Sequence, residues 1–139
     1  MSDPSTWKID PEASFVHICL NETVHGLEIV NSPHFPWHMI PKDMVVVGDC
    51  SSNIGTFDID WNRFGVIYGG AQKNMGPAGC TFIIVRKDLL GKQDPDTPYL
   101  NDWTLNYYAK GSEGFAPGYF NTPPVWPIYV TGLNVSYMN

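Results

Sequence analysis

Gly65-Val66-Ile67-Tyr68-Gly69-Gly70-Ala71-Gln72-Lys73-Asn74-Met75-Gly76-Pro77-Ala78-Gly79-Cys80-Thr81-Phe82-Ile83-Ile84-Val85 is the stretch on which the fold turns. Two apolar runs, Gly65 to Tyr68 and Thr81 to Val85, bracket small residues and one lysine. Their β-branched and aromatic content marks both runs as strands. About a dozen residues without helical period join them, whereas a parallel pair needs a crossover of at least that length, usually a helix. The second strand is therefore expected to run antiparallel to the first. The small residues between them let backbone or a ligand approach closely. Lys73 has two readings. It is a solvated lysine on a hairpin loop, as most lysines are. Or it is buried between the strands, where an unpaired ammonium is costly. The usual resolution of such burial is a neutral amine, which is a nucleophile that can form a Schiff base.

Upstream, Phe15 to Leu20 reads as a strand ending in the turn chemistry of Asn21-Glu22-Thr23. Met44 to Gly48 is continuously apolar, the pattern of a strand covered on both faces, and it runs straight into Asp49. In open α/β sheets ligands sit beyond the carboxyl ends of parallel strands. Asp49 there is either a ligand-facing acid or the start of an Asx turn into Ser51-Ser52-Asn53. Residues 31–43 hold Pro33, Pro36 and Pro41 and read as a surface connection. Arg86 to Gly91 is a short helical turn closing on glycine. Residues 92–120 read as a long loop. Its large apolar residues between Leu100 and Lys110 suggest packing against a dimer partner or further chain. Asn121-Thr122-Pro123-Pro124 is a capping turn, and Val125 to Tyr137 is apolar enough for a buried helix.

The chain has 139 residues, enough for one modest domain with a core. Hydrophobic residues make up 43% and charged residues 16%, the balance of a folded chain rather than a disordered one. A net charge of −6 without a basic patch argues against general nucleic-acid binding. No apolar run approaches the roughly 20 residues of a membrane span. The acidic, polar start does not read as a secretory or transit signal. Cys19, Cys50 and Cys80 lie in or beside apolar runs, far apart and odd in number. They read as buried free thiols in a reducing compartment. The four histidines lack a metal-ligand pattern, so no metal is expected.

Gly70 to Gly79 resembles the cofactor-lysine segment of the phosphoserine aminotransferase family, class V, fold-type I pyridoxal-phosphate enzymes. The resemblance continues through Asn21-Glu22-Thr23, Asp49 to Ile54, Asp58-Ile59-Asp60, Arg63 to Tyr68 and Asn121 to Pro124. It runs from Phe15 to Asn139. Gly55-Thr56-Phe57 departs from the more basic or polar stretch expected there, which puts one loop in doubt.

The resemblance implies an α/β fold, part of the mostly parallel sheet of a fold-type I large domain with one strand antiparallel. Residues 1–14 would be a polar lead-in. Residues 15–139 would be a partial pyridoxal-phosphate-binding large domain, without the N-terminal part and the C-terminal small domain of the whole enzyme. By the resemblance Lys73 is the catalytic lysine that holds pyridoxal 5'-phosphate. Asp49 pairs with the pyridine nitrogen and keeps it protonated. Thr23 contacts the ring substituents and Gln72 the phosphate. Asn121 and Thr122 reach the phosphate of the neighbouring subunit in a homodimer. The implied reaction is reversible amino transfer between phosphoserine and 2-oxoglutarate, in cytoplasmic serine biosynthesis. Two alternatives remain: a truncated, non-catalytic fragment of that enzyme, and another class V enzyme such as a desulfurase. A desulfurase would want a mobile catalytic cysteine, and none sits in a loop with activating neighbours.

Overall fold

Three runs rich in β-branched and aromatic residues become adjacent parallel strands, and a fourth reverses against them. The computed structural model describes residues 2–29, 34–90 and 122–138. The strands are β1 (Phe15–Cys19), β4 (Val45–Asp49), β5 (Val66–Gly70) and β6 (Thr81–Val85), in the spatial order β1-β4-β5-β6. The pairs β1·β4 and β4·β5 are parallel. β6 is antiparallel to β5, with Val66 opposite Val85 and Gly70 opposite Thr81. This is the reversed strand expected from the short, non-helical link between the two runs. A small antiparallel hairpin, β2 (Asn21–Glu22) and β3 (Leu27–Glu28), follows β1 directly.

The parallel crossovers are irregular where they are described. The link from β1 to β4 contains the hairpin and a 3-10 turn at Trp37–Met39 preceded by Pro36. The link from β4 to β5 is a series of turns ending in a 3-10 turn at Trp61–Arg63. These links carry side chains into the core. Ile18, Leu20, Ile29, Phe35, Ile40, Val46, Cys50, Ile54, Phe64 and Ile67 form one buried cluster. The Phe35 ring packs tilted against Trp37, with centroids 4.4 Å apart, and against Trp7 of the lead-in at 5.8 Å. Trp37 meets Phe64 edge-on at 5.9 Å, and the Arg63 guanidinium lies 4.8 Å from the Trp37 ring centre. The Pro-rich segment is thus more than a surface connection, because Phe35, Pro36 and Ile40 are buried.

Three expectations need correcting. β4 is continuously apolar, yet only Val46 and Gly48 are buried, while Val45, Val47 and Asp49 are half-buried. The described crossovers pack on one face of the sheet, so burial alternates with the period of a strand. The C-terminal apolar run does form a helix, α1 (Val125–Met138), but none of its residues is buried. Pro127 is tolerated because the first backbone N–H groups of a helix have no intrahelical partner. Of the cysteines, all free, only Cys50 is buried; Cys19 is exposed and Cys80 half-buried. Cys19 alternates with Ile18 on β1 and so points away from the core.

The Cys50 thiol is pushed up to about 11, first by burial and then by the negative charge of Asp49. A folded value raised above the unfolded one contributes stability that is complete below the unfolded value near 9. That contribution declines as pH rises toward 11. Near pH 8, a thiol reagent is expected to modify Cys19 at the rate of an exposed thiol. Cys50 is expected to react only on unfolding, as read by mass mapping of a labelling time course.

Candidate functional site

The carboxyl ends of β1, β4 and β5 form one edge, and three loops meet there. The first is the β2–β3 hairpin, which carries Thr23. Its turn is fastened by Glu22, whose carboxylate accepts from the backbone N–H groups of Val24 and His25, each at 2.8 Å. These bonds hold the Glu22 carboxyl below its ordinary range. Thr23 is exposed on this turn.

The second loop follows β4. The Ser51 N–H donates to Asp49 Oδ1 at 2.9 Å and the Ser51 hydroxyl donates to the same oxygen at 2.6 Å. The Asx turn and the ligand-facing acid are therefore not alternatives, because the turn itself orients the carboxylate. A carboxylate has about four lone-pair sites, so acceptor capacity remains for a cationic group. The Ser51 hydroxyl also accepts from the Gly70 N–H at 3.2 Å, which joins the ends of β4 and β5. Gly69 makes this possible. A Cβ there would lie 2.9 Å from Ser51 Cα and 2.7 Å from Phe82 Cζ.

The third loop follows β5 and carries Gln72 and Lys73, both exposed. Lys73 is not buried between the strands, so the burial behind the neutral-amine reading is absent. The loop is held by backbone bonds from Ala71 N to Cys80 O at 2.8 Å and from Gly76 N to Ala71 O at 2.7 Å. The Gln72 side chain folds back over Gly70, occupying the space a Cβ would take.

The three loops are tied to one another. Ser52 Oγ donates to Asn21 O at 2.9 Å, and Asn53 Nδ2 donates to Glu28 Oε1 at 3.0 Å. Asn74 Nδ2 donates to Ser52 O at 3.3 Å and to Ile54 O at 3.1 Å. The lysine turn is therefore pinned to the aspartate turn by the residue next to Lys73. Helix α1 rests on the far side of the lysine loop. Asn134 Nδ2 donates to Met75 O at 3.0 Å, and a Cβ on Gly76 would lie 2.7 Å from Thr131 Oγ1.

The structure thus brings Thr23, Asp49, Gln72 and Lys73 to one edge of the sheet. Thr122 is exposed just ahead of α1, and Asn121 lies outside the described residues. Sequence reasoning did not single out Ser51 and Asn74. For Ser51 the signal was there, a hydroxyl two residues after an aspartate at a strand end. Among the described residues no group of three histidine, cysteine or acidic side chains could hold a metal ion. No described helix is long and apolar enough to cross a membrane.

Asp49 and Lys73 thus sit on cross-tied turns that follow two adjacent parallel strands. The sequence model of the family "Aminotransferase class-V" matches residues 2–139, and the chain belongs to it. Within that family, the chain is similar to phosphoserine aminotransferases. The phosphoserine aminotransferase of Herminiimonas arsenicoxydans is 44% identical over 133 residues, covering 96% of this chain and 33% of the relative. Phosphoserine aminotransferase 1, chloroplastic, of Arabidopsis thaliana is 43% identical over 123 residues, covering 88% of this chain and 26% of the relative. A solved structure of the phosphoserine aminotransferase from Bacillus circulans subsp. alkalophilus superposes with a TM-score of 0.70 at 30% identity. It covers 94% of this chain, which spans 33% of that one. The pyridoxal-phosphate-bound enzyme of Trichomonas vaginalis gives 0.73 at 29% identity, covering 99% of this chain and 34% of its own. The chain spans about a third of the length of the relatives it matches. The mostly parallel sheet with one reversed strand and the class-V resemblance both hold.

Proposed function

We propose that this chain carries the cofactor-lysine segment of a phosphoserine aminotransferase and that its cofactor is pyridoxal 5'-phosphate. The observation that supports the reading is the cross-tied pair of turns that carry Asp49 and Lys73 beyond the carboxyl ends of β4 and β5. The donor set fits the group. Asp49 is oriented yet keeps acceptor capacity for a pyridinium N–H. Lys73 presents an exposed amine. Gln72 over Gly70 offers a neutral amide to a phosphate.

When bound, pyridoxal phosphate supplies an electron sink for the charge left on the substrate α-carbon. The residues of the chain do the rest. Lys73 Nζ would hold the cofactor and would act as general base toward the proton on the substrate α-carbon. The Asp49 carboxylate keeps the ring nitrogen protonated. Thr23 would help to hold the ring. Asn121 and Thr122 serve the phosphate of a neighbouring subunit, which makes the working unit a homodimer. The reaction is reversible amino transfer between O-phospho-L-serine and 2-oxoglutarate, giving 3-phosphohydroxypyruvate and L-glutamate, in cytoplasmic serine biosynthesis.

A second reading is a non-catalytic fragment that needs further chain for activity. It is favoured by the one-third coverage of the relatives and by the exposure of Thr23, Gln72 and Lys73 together. One experiment separates the two. The chain is titrated with pyridoxal phosphate, reduced with borohydride and mapped by peptide mass. A cofactor adduct on Lys73 alone is expected. Adducts spread over Lys8, Lys42 and Lys87 as well, or none at all, would establish the fragment reading instead.

A further inference from the structure

A single helical turn follows β4. The Asn53 and Ile54 N–H groups both donate to Cys50 O, at 3.1 and 3.0 Å, and Gly55 leaves the turn with a φ of +79°. This turn has a firm base, because Cys50, Asn53 and Ile54 are buried. The Cys50 N–H donates to Tyr68 O at 2.9 Å, and the Tyr68 hydroxyl meets His17 Nε2 at 2.9 Å across β4. Asp49 holds the start of the turn through the two bonds from Ser51. At the other end the last carbonyls find no partner within the turn itself. Asn53 O accepts from the Thr56 N–H at 3.2 Å and from its hydroxyl at 2.7 Å. Ser52 O and Ile54 O accept from Asn74 Nδ2. Both of these partners are acceptors, so only the amide nitrogen can face them, and its two N–H groups match the two carbonyls. Asp49 and the residue next to Lys73 therefore grip opposite ends of one turn.

We propose that Asn74 is a positioning residue for Lys73: its amide, seated on the end of the turn that Asp49 starts, sets where the lysine backbone stands relative to the carboxylate. A lysine amine rides on a flexible four-carbon stem, so its placement depends on how the backbone beneath it is held. In an active site about 1 Å of misplacement can cost about a hundredfold in rate. The other bonds of the lysine loop do a different job. Ala71 N to Cys80 O and Gly76 N to Ala71 O close the loop on itself and on the start of β6. Asn134 holds Met75 O from α1. These bonds run within the loop or to the helix, whereas the Asn74 amide reaches the aspartate turn. The inference rests on the proposed function for what Lys73 does, but not for how its loop is held.

The test has two arms. In the unliganded chain, backbone hydrogen exchange is followed in the wild type, in Asn74→Ala and in Asn74→Gln. Asn74→Ala removes both bonds to the aspartate turn. It is expected to speed exchange of the Gly76 N–H, which closes the lysine loop, by about tenfold or more. The Asn53 and Ile54 N–H groups should stay within about twofold of wild type, because the buried turn stands without Asn74. Asn74→Gln keeps the amide and should recover part of the protection at Gly76. Faster exchange of all three groups alike would mean that Asn74 only supports the fold, and unchanged exchange at Gly76 would mean that it holds nothing. Either result overturns the proposal. In the second arm the same proteins are titrated with pyridoxal phosphate and with pyridoxamine phosphate, whose amine in place of the aldehyde cannot form a Schiff base with a lysine. Borohydride trapping at Lys73 is expected to fall about tenfold in Asn74→Ala, while pyridoxamine phosphate binds within about twofold of wild type. Equal weakening of the two compounds would mean that Asn74 acts on the pocket as a whole, and the positioning role would end there. If the wild type takes up neither compound, the functional reading fails. The exchange arm then still decides how the lysine loop is held: selective loosening at Gly76 upholds the arrangement, and uniform loosening or none ends it.

Discussion

Lys73→Ala is expected to abolish the borohydride-trapped cofactor adduct while leaving the fold unchanged. The two halves of this result have separate causes. The fold is indifferent because the Lys73 side chain is exposed, and the turn around it is built by other groups. Ala71 N to Cys80 O and Gly76 N to Ala71 O close the loop, and the Asn74 amide fastens it to Ser52 and Ile54. Exposed substitutions away from such features usually stay within about 0.5 kcal/mol. The adduct is expected to disappear because trapping needs a primary amine, and under the proposed function Lys73 supplies it. The nearest other described lysine in the chain is Lys87, at the far end of β6. The measurement is adduct stoichiometry by intact mass after reduction, paired with a urea unfolding curve. Equal trapping in Lys73→Ala would mean that the cofactor reacts with surface amines without a site.

The strands were legible in the sequence because their signal is local. Thr81 to Val85 is β6 as predicted, and the reversal of β6 followed from a link of about a dozen residues without helical period, where a parallel crossover usually holds a helix. Burial was less legible, because it depends on what packs from elsewhere. The apolar run of β4 looks covered on both faces, yet the described crossovers cover one. The apolar helix α1 presents Trp126, Tyr129, Leu133 and Tyr137 on one exposed stripe, while Thr131 and Asn134 face the lysine loop. Hydropathy counts apolar residues but does not say which neighbour they meet. The site divides in the same way. Asp49 at a strand end and a lysine among glycines could be seen in one dimension. The reach of Asn74 to Ser52 and of His17 to Tyr68 could not, since these pairs lie 22 and 51 residues apart and are joined only by strand register.

Gly69→Val is expected to cost about 3 kcal/mol or more, near the upper end of what overpacking usually costs. Against a total stability of about 5–15 kcal/mol this is a large fraction. The cause is backbone, not side chain. The new Cβ would lie 2.9 Å from Ser51 Cα and 3.0 Å from Ser51 N, and Phe82 closes the same space at 2.7 Å. The Phe82 ring can turn aside, but Ser51 cannot easily retreat. Its N–H and hydroxyl are bound to Asp49, and its oxygen accepts from the Gly70 N–H. Any shift that relieves the clash therefore pulls on the Asp49 carboxylate, and cofactor trapping at Lys73 should weaken together with stability. Gly132→Ala provides the opposite case in the same urea experiment. Nothing lies within 4 Å of a Cβ at Gly132, which sits inside α1. Alanine is favoured over glycine in a helix interior by about 1 kcal/mol, so this variant should be more stable, with trapping unchanged. A Gly69→Val protein as stable as the wild type would show that the ends of β4 and β5 are not locked through Ser51, and the cross-tied site would lose its main support.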